Sequence, residues 1–381
     1  MNDPTPAHGF EVAGRRAGCA IRRAPGYSGS VALEVLARGV SQRAFPGAGF
    51  AVSRRGELVL QGAVGRFQYE EASEEMTLST IFDLASVTKT VATTSMAMLL
   101  YERGKLSLSW PVVGLVPEFA GPDRRRQQIS VQMLLTHSSG LPAYERLFER
   151  ANDRSGLIEL ACQVPLAADP GSRTEYSDIG FIVLGELLHR IAGEPLDVFC
   201  TREVFNPLKM KATGFCPPAR LRQSIPPTVD DRSFRHRVIQ GEVHDENASV
   251  MDGVSGHAGA FGNTTDLMAF SASMLGYGPQ VFRKETIALF TRRQSVPQGT
   301  SRALGWDTPS PPSQSGEHFS PYSYGHLGYT GTSLWIDGER QIAVALLTNR
   351  TWPNHDSKLI KQFRPAFHDA VMKELLSISP S

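Results

Sequence analysis

Cysteine is nearly missing from this chain: Cys19, Cys162, Cys200 and Cys216 are the 4 among 381 residues, and no two form a C-x-x-C pair. Neither a redox dithiol nor a clustered zinc site is therefore indicated, and the four read as ordinary core or surface thiols. Long apolar runs are lacking as well. Residues 1–25 are polar and rich in Gly and Arg, with no stretch fit for a signal-peptide core or a membrane span. The chain is expected to be soluble, cytoplasmic if Met1 is the natural start, and periplasmic or secreted if a leader was removed. Charge of one sign is also lacking, since 39 Lys and Arg face 38 Asp and Glu. Without a basic excess nothing points to nucleic acid, and the short run Arg124-Arg125-Arg126 reads as a solvated loop.

What is present is enough chain for two lobes, or for one large domain with an insertion, around a core that needs no staples. Residues 30–42 carry a helical stripe through Val31, Val35, Leu36 and Val40. Residues 48–53 and 57–62 flank Arg54-Arg55-Gly56 as two antiparallel strands, and 332–337 and 341–348 flank Gly338-Glu339-Arg340 in the same way. Helical patterns dominate from residue 86 to about 247, including 131–135, 156–161, 180–192 and 195–204. Pro217-Pro218 and Pro226-Pro227 bracket an expected loop. Asn263 offers a cap for a helix over 267–275, and 357–376 forms an amphipathic terminal helix. Strands at both ends with helices between predict an α/β fold: an antiparallel sheet built from both termini and flanked by helices, with an inserted, mostly helical lobe. The expected division is 1–85 plus 255–381 for the sheet lobe and 86–254 for the helical lobe, with a site between them.

One stretch organises the chain. Ser86-Val87-Thr88-Lys89 puts a hydroxyl and an amine one turn apart at the start of an apolar helix expected to run to Arg103, with Gly104 as its stop. A serine becomes a nucleophile when a base takes its proton, and a lysine serves if a desolvated site or a second cation keeps it neutral for part of the time. The alternative is a solvated lysine on a core helix. Two further stretches offer the remaining parts of such a site. Tyr176-Ser177-Asp178, placed in a loop before a helix near Gly180, supplies a phenol that can shuttle a proton and a carboxylate that can accept from Lys89 or from substrate; equally, it is a buried Tyr with a helix cap. Gly325-His326-Leu327-Gly328-Tyr329-Thr330-Gly331-Thr332, directly before a strand, has glycines that let backbone N–H groups approach a developing oxyanion; equally, it is a glycine-rich turn. His236, His244, Asp245, Glu246 and His257 contain no pair with i, i+4 ligand spacing, so neither a metal nor another cofactor is expected. Residues 243–248 read instead as a loop ordered by its own polar groups, and Trp306 and Trp335 as core or cleft wall.

Taken together, Ser86-x-x-Lys89, the Tyr176 triplet and His326-x-Gly328 before a C-terminal strand are similar in order and spacing to the motif set of the serine β-lactamase and penicillin-binding family. Within it the chain most resembles the class C β-lactamase branch, with its D-Ala-D-Ala carboxypeptidases and esterases, over about residues 47–350. Leu134-Leu135-Thr136-His137-Ser138-Ser139-Gly140-Leu141-Pro142, the stretch from Phe205 to Met210, Val243-His244-Asp245-Glu246-Asn247-Ala248, Gly256-His257-Ala258-Gly259 and Leu346-Leu347-Thr348-Asn349-Arg350 share in the likeness. The resemblance implies Ser86 as the acylated nucleophile, Lys89 as its activating partner and Tyr176 as the proton shuttle. It also implies an oxyanion hole from the backbone N–H of Ser86 and Tyr329, and substrate contacts at Asp178, His326 and Gly328.

Two positions depart from that pattern. Asp178 stands where β-lactamases of this branch have Asn, and His326-Leu327-Gly328 replaces Lys-Thr-Gly, exchanging a permanent cation for a titratable imidazole and removing a hydroxyl that helps to hold the β-lactam carboxylate. The expectation is a serine hydrolase that forms an acyl-enzyme on an ester or a D-amino-acid-type amide, with weak or no β-lactamase turnover. Its partner is then a small-molecule or peptide substrate. A true class C-like β-lactamase and a penicillin-binding sensor or scaffold that does not turn over remain as alternatives, and the oligomeric state is left open.

Overall fold

The computed structural model describes residues 11–16 and 19–378. In chain order its strands are β1 (Glu11–Arg16), β2 (Cys19–Arg23), β3 (Gly47–Arg54), β4 (Glu57–Gly65), β5 (Phe82–Asp83), β6 (Gly214–Phe215), β7 (Pro227–Asp231), β8 (Arg237–Gln240), β9 (Ala260–Gly262), β10 (Tyr324–Leu327), β11 (Ser333–Asp337) and β12 (Ile342–Thr348). Seven of them form the main sheet in the order β1-β2-β4-β3-β12-β11-β10, and every neighbouring pair is antiparallel. The two ends of the chain meet at its centre, where β3 pairs with β12 in the register Phe50↔Leu346 and Val52↔Val344. The fold class is as the sequence indicates.

Strand alternation assigns the two faces of this sheet. Phe50, Val52, Val344 and Leu346 point to one side, where the helices Ser30–Ser41 and Ile360–Ser377 cover them through Ala32, Val35, Leu36, Phe363, Phe367 and Val371. Phe50 and Phe367 meet edge to face with ring centroids 5.3 Å apart, a contact worth about 0.5–1.5 kcal/mol beyond its area. The residues between, Ala51, Ala343 and Ala345, face the opposite way. They are small, and the helix Thr264–Met274 and the helical part of the chain pack there in one continuous apolar cluster. Asn263 caps that helix by accepting from the Asp266 N–H.

Several local expectations are corrected. Residues 86–103 are not one α-helix: a 3₁₀ turn Ala85–Val87 leads into a π-helical stretch Lys89–Thr94, and only Ser95–Glu102 is α-helical. The bracketed segment 217–227 contains the short helix Ala219–Arg222 and runs into β7, which pairs with β8. A further small sheet, β5-β9-β6, joins the segment before Ser86 to residues 260–262. The 124–126 run is not simply solvated either. Arg126 is buried, and its guanidinium donates to the carbonyls of Phe119, Cys162 and Val164. It ties the end of the helix Arg154–Gln163 to the turn at Phe119.

Replacing Arg126 by Ala strands those carbonyls, and a buried group left without its partner costs about 1–3 kcal/mol. We expect Arg126→Ala to lower unfolding stability by about 3 kcal/mol or more in urea titrations, and Arg124→Ala, at an exposed neighbour, by less than about 0.5 kcal/mol. Equal effects would contradict this account of the Arg126 anchor.

Candidate active site

The segment before Ser86 is held in an unusual shape. Ala85 has φ 47°, a left-handed conformation that a residue with a Cβ adopts only under compulsion. The compulsion comes from Asp83, whose Oδ1 accepts from the Ala85 N–H at 2.7 Å while its Oδ2 accepts from the His244 N–H at 2.6 Å. Burial pushes the Asp83 carboxyl up to about 6, against the two N–H donors that favour its charged form. This turn brings Ser86 to the edge of a cleft of about 880 Å³, whose walls include Ser86, Tyr176, Asp178, His326, Gly328 and Tyr329.

Lys89 lies behind that wall, fully buried. Its Nζ donates to Ser86 Oγ at 3.0 Å, to Asp178 Oδ1 at 2.6 Å and to the His257 carbonyl at 2.8 Å. An ammonium group has three hydrogens to give, and each has an acceptor here. Burial favours the neutral amine, yet the negative partner Asp178 and the Tyr176 oxygen outweigh it and raise the pKa above the ordinary lysine value. The desolvated site that a partly neutral lysine requires is present, but in the resting site these partners outweigh it. Because the folded pKa is raised, the stabilisation from this ammonium is complete at neutral pH and is lost only as pH climbs through that raised value.

Each acceptor is positioned in turn. Ser177, not Asp178, caps the helix Asp178–Ala192 by accepting from the Gly180 N–H at 3.0 Å, which leaves the Asp178 carboxylate free for Lys89. The His257 carbonyl reaches Lys89 because the chain before it passes close to that helix at Gly256: a Cβ there would lie 2.1 Å from the Phe181 carbonyl oxygen. The His257 ring is fixed on both sides, with Nε2 2.7 Å from Asp245 Oδ1 and Nδ1 2.8 Å from Ser255 Oγ. These contacts occupy the imidazole that composition offered as a metal ligand. Of residues 243–248, His244, Asp245 and Glu246 line the cleft, and Asp245 begins the short helix Glu246–Val250 as its cap.

Tyr176 is half-buried. Burial raises the pKa of its phenol, and its interactions with Lys89 and Ser86 pull the other way without cancelling that rise. His137 sets its place: the rings lie 4.6 Å apart, and His137 Nδ1 accepts from the Ser177 N–H at 3.0 Å. On the far side the Arg302 guanidinium sits 5.4 Å from the Tyr176 ring centroid. Neither His137 nor Arg302 was assigned a role from the sequence. Position 137 lies in a stretch noted there only for its likeness to the family, and no local pattern marks 302.

His326 stands on β10 with its ring 5.9 Å from Tyr176. Its Nδ1 is 2.8 Å from the Leu327 carbonyl, which can only accept, so this nitrogen carries the hydrogen and Nε2 the lone pair. Burial, Lys89 and Arg302 all push its pKa well below the ordinary value. Gly328 lines the cleft, and a side chain has no room there, since a Cβ would lie 1.9 Å from Thr332 Oγ1 and 2.6 Å from the Leu84 carbonyl oxygen. Beyond it Tyr329 exposes half its surface, with the Arg350 guanidinium 4.4 Å from its ring centroid. The assembly offers a hydroxyl poised on an ammonium, a phenol within reach of both, and backbone N–H groups on two converging segments.

The family model described as Beta-lactamase matches residues 33–365. The chain is 35% identical over 345 residues to an N-acetylmuramyl-L-alanine amidase of Bacillus subtilis (strain 168), covering 80% of this chain and 77% of that one. It is 31% identical over 358 residues to a protein of Escherichia coli (strain K12) that carries the provisional name D-alanyl-D-alanine carboxypeptidase, covering 84% and 82%. Among solved structures, EstCE1, described as a hydrolase with promiscuous acyltransferase activity, superposes with a TM-score of 0.74 at 22% identity, covering 90% of this chain and 98% of that one. That last likeness speaks to the fold alone.

A neutral His326 has a spectroscopic consequence. As pH falls below the ordinary histidine range the unfolded chain takes up a proton that this buried ring refuses, so its contribution opposes folding in acid. In ¹⁵N-edited NMR the His326 ring should keep the Nδ1–H form without titrating between about pH 5.5 and 8. A midpoint near 6.5 would contradict the burial and the charges placed around it.

Proposed function

Since the chain belongs to the Beta-lactamase family, we propose that it is a serine hydrolase that forms an acyl-enzyme on Ser86 and cleaves the amide of a small, anionic cell-wall fragment of the muramyl-peptide type. The observation that carries the chemistry is the Lys89 contact set, 3.0 Å to Ser86 and 2.6 Å to Asp178. Support for the substrate comes from the names of the amidase and carboxypeptidase relatives and from one end of the cleft. There Arg350, Lys358, Lys361 and Arg364 are among the lining residues. Arg364 is buried, and burial together with the positive charge of Arg350 pushes its pKa down. A carboxylate on the bound fragment would relieve that strain.

The proton path uses the departure at 178. With Lys89 an ammonium and Tyr176 a phenol, no base is ready for Ser86 until a proton leaves Lys89, and the Asp178 carboxylate at 2.6 Å takes it. Neutral Lys89 then accepts the Ser86 proton as Oγ adds to the amide carbon. Tyr176 gives its proton to the departing nitrogen and is left as phenolate beside the Lys89 ammonium. In deacylation water gives a proton to Tyr176 as its oxygen attacks the acyl carbon. Ser86 leaves with a proton from Lys89, and Asp178 returns the proton it has held. An Asn at 178 could not store that proton. Without the Lys-Thr-Gly cation and hydroxyl a β-lactam carboxylate is poorly held, which weighs against efficient β-lactam turnover.

A panel decides between the alternatives: N-acetylmuramyl-L-alanine, a D-Ala-D-Ala peptide, p-nitrophenyl acetate and a chromogenic cephalosporin. We expect release of alanine from the muramyl amide, slow ester turnover and little cephalosporin hydrolysis. Ser86→Ala should lose at least about 10³-fold in kcat, and Lys89→Ala about 10²–10⁴-fold with its fold intact. Cephalosporin turnover above all other substrates, or stable stoichiometric labelling without turnover, would replace this function with the lactamase or the sensor. Full activity in Ser86→Ala would remove the mechanism altogether.

A further inference from the structure

The two N–H groups assigned to the oxyanion lie on segments far apart in sequence, Ser86 after β5 and Tyr329 after β10. A tetrahedral oxyanion needs both donors about 2.7–3.1 Å from one point, so something must fix the distance between these segments. Two buried hydroxyls do so. Thr330 Oγ1 donates to the Asp83 carbonyl at 2.9 Å, and Thr332 Oγ1 donates to the Leu84 carbonyl at 2.9 Å. Both bonds run from the Tyr329 segment to the turn that leads into Ser86. The approach is close enough that only hydrogen fits at Gly328, beside Thr332 Oγ1 and the Leu84 oxygen.

The Tyr329 N–H is also aimed. It belongs to the same planar peptide as the Gly328 carbonyl, and in a trans peptide the two point in opposite directions. That carbonyl accepts from the Gly331 N–H at 3.1 Å and from Arg364 Nη2 at 3.3 Å. The next carbonyl, that of Tyr329, accepts from Arg350 Nε at 2.6 Å. The peptide therefore cannot turn over without breaking bonds on its outer side. Across the gap, the two Asp83 contacts hold the Ser86 turn just as firmly.

We propose that Thr330 and Thr332 are positioning residues that set the separation of the two oxyanion donors, acting on the transition state through backbone geometry and not by touching substrate. The proposal rests on the acyl-enzyme reading above. Thr→Val keeps the branched side-chain shape and replaces the hydroxyl with a methyl that cannot donate. The Leu84 carbonyl still accepts from the Val87 N–H at 3.1 Å, so the turn keeps a hydrogen bond in Thr332→Val.

The test measures kcat and KM for p-nitrophenyl acetate, and the inhibition constant of a phenylboronic acid, whose adduct with Ser86 is tetrahedral. In Thr330→Val and Thr332→Val we expect kcat to fall about 10–100-fold, boronate affinity to fall by the same ratio and KM to stay within about twofold, with Thr→Ser at either site restoring both losses. Thr330→Ala and Thr332→Ala carry the same expectation should a valine variant fail to fold. Folded variants with wild-type kcat and boronate affinity would overturn the proposal, and so would a fall in kcat with boronate binding unchanged. A wild-type protein that neither hydrolyses the ester nor binds the boronate would instead overturn the acyl-enzyme reading and this proposal with it.

Discussion

A buried ammonium must give away all three of its hydrogens, and at Lys89 this requirement draws the site together. Ser86, Asp178 and the His257 carbonyl come from three separate segments, and each is held at 3.0 Å or less from one nitrogen. Removing one partner of a buried ion pair leaves an uncompensated charge and costs about 3–5 kcal/mol, so this centre is structural and chemical at once. Much of the surrounding architecture serves it. Ser177 takes over the capping duty that would otherwise occupy Asp178, and Gly256 removes the side chain that would keep the His257 carbonyl away.

The two departures from the family pattern then act in the same direction. Asp178 supplies the counter-charge that keeps Lys89 protonated and, in the proposed mechanism, a place for a proton to wait. His326 is neutral, so the cleft lacks a cation where the family has one. Positive charge is found elsewhere, on Arg302 beside Tyr176 and on the Arg350 and Arg364 side of the cleft. This rearrangement of charge is the ground for the anionic, non-β-lactam substrate proposed above.

Much of the fold was legible because it rests on short-range periodicity. The hairpins β3-β4 and β11-β12 and the helix Ile360–Ser377 follow from alternating or helical apolar positions, and Asn263 announces its helix by residue type. The motif residues were legible as types, and the structure brings Ser86, Lys89, Tyr176, Asp178, His326 and Tyr329 to one place. Long-range effects were not legible. β5 and β9 are too short to show a period and exist by pairing with each other. The left-handed Ala85 depends on the Asp83 side chain, and the partners of His137, Arg302 and Thr330 lie far away in sequence. Asp178 was legible as an acceptor for Lys89, but the sign of the Lys89 shift was not, because it depends on a 2.6 Å distance across 89 positions that outweighs burial.

The state of Lys89 is the claim on which the rest depends, and ¹⁵N NMR of its selectively labelled Nζ reads it directly. An ammonium resonance that persists from about pH 6 to pH 9 and moves toward lower pKa in Asp178→Asn is the result predicted by the raised pKa. A neutral amine at pH 7 in the resting protein would contradict it.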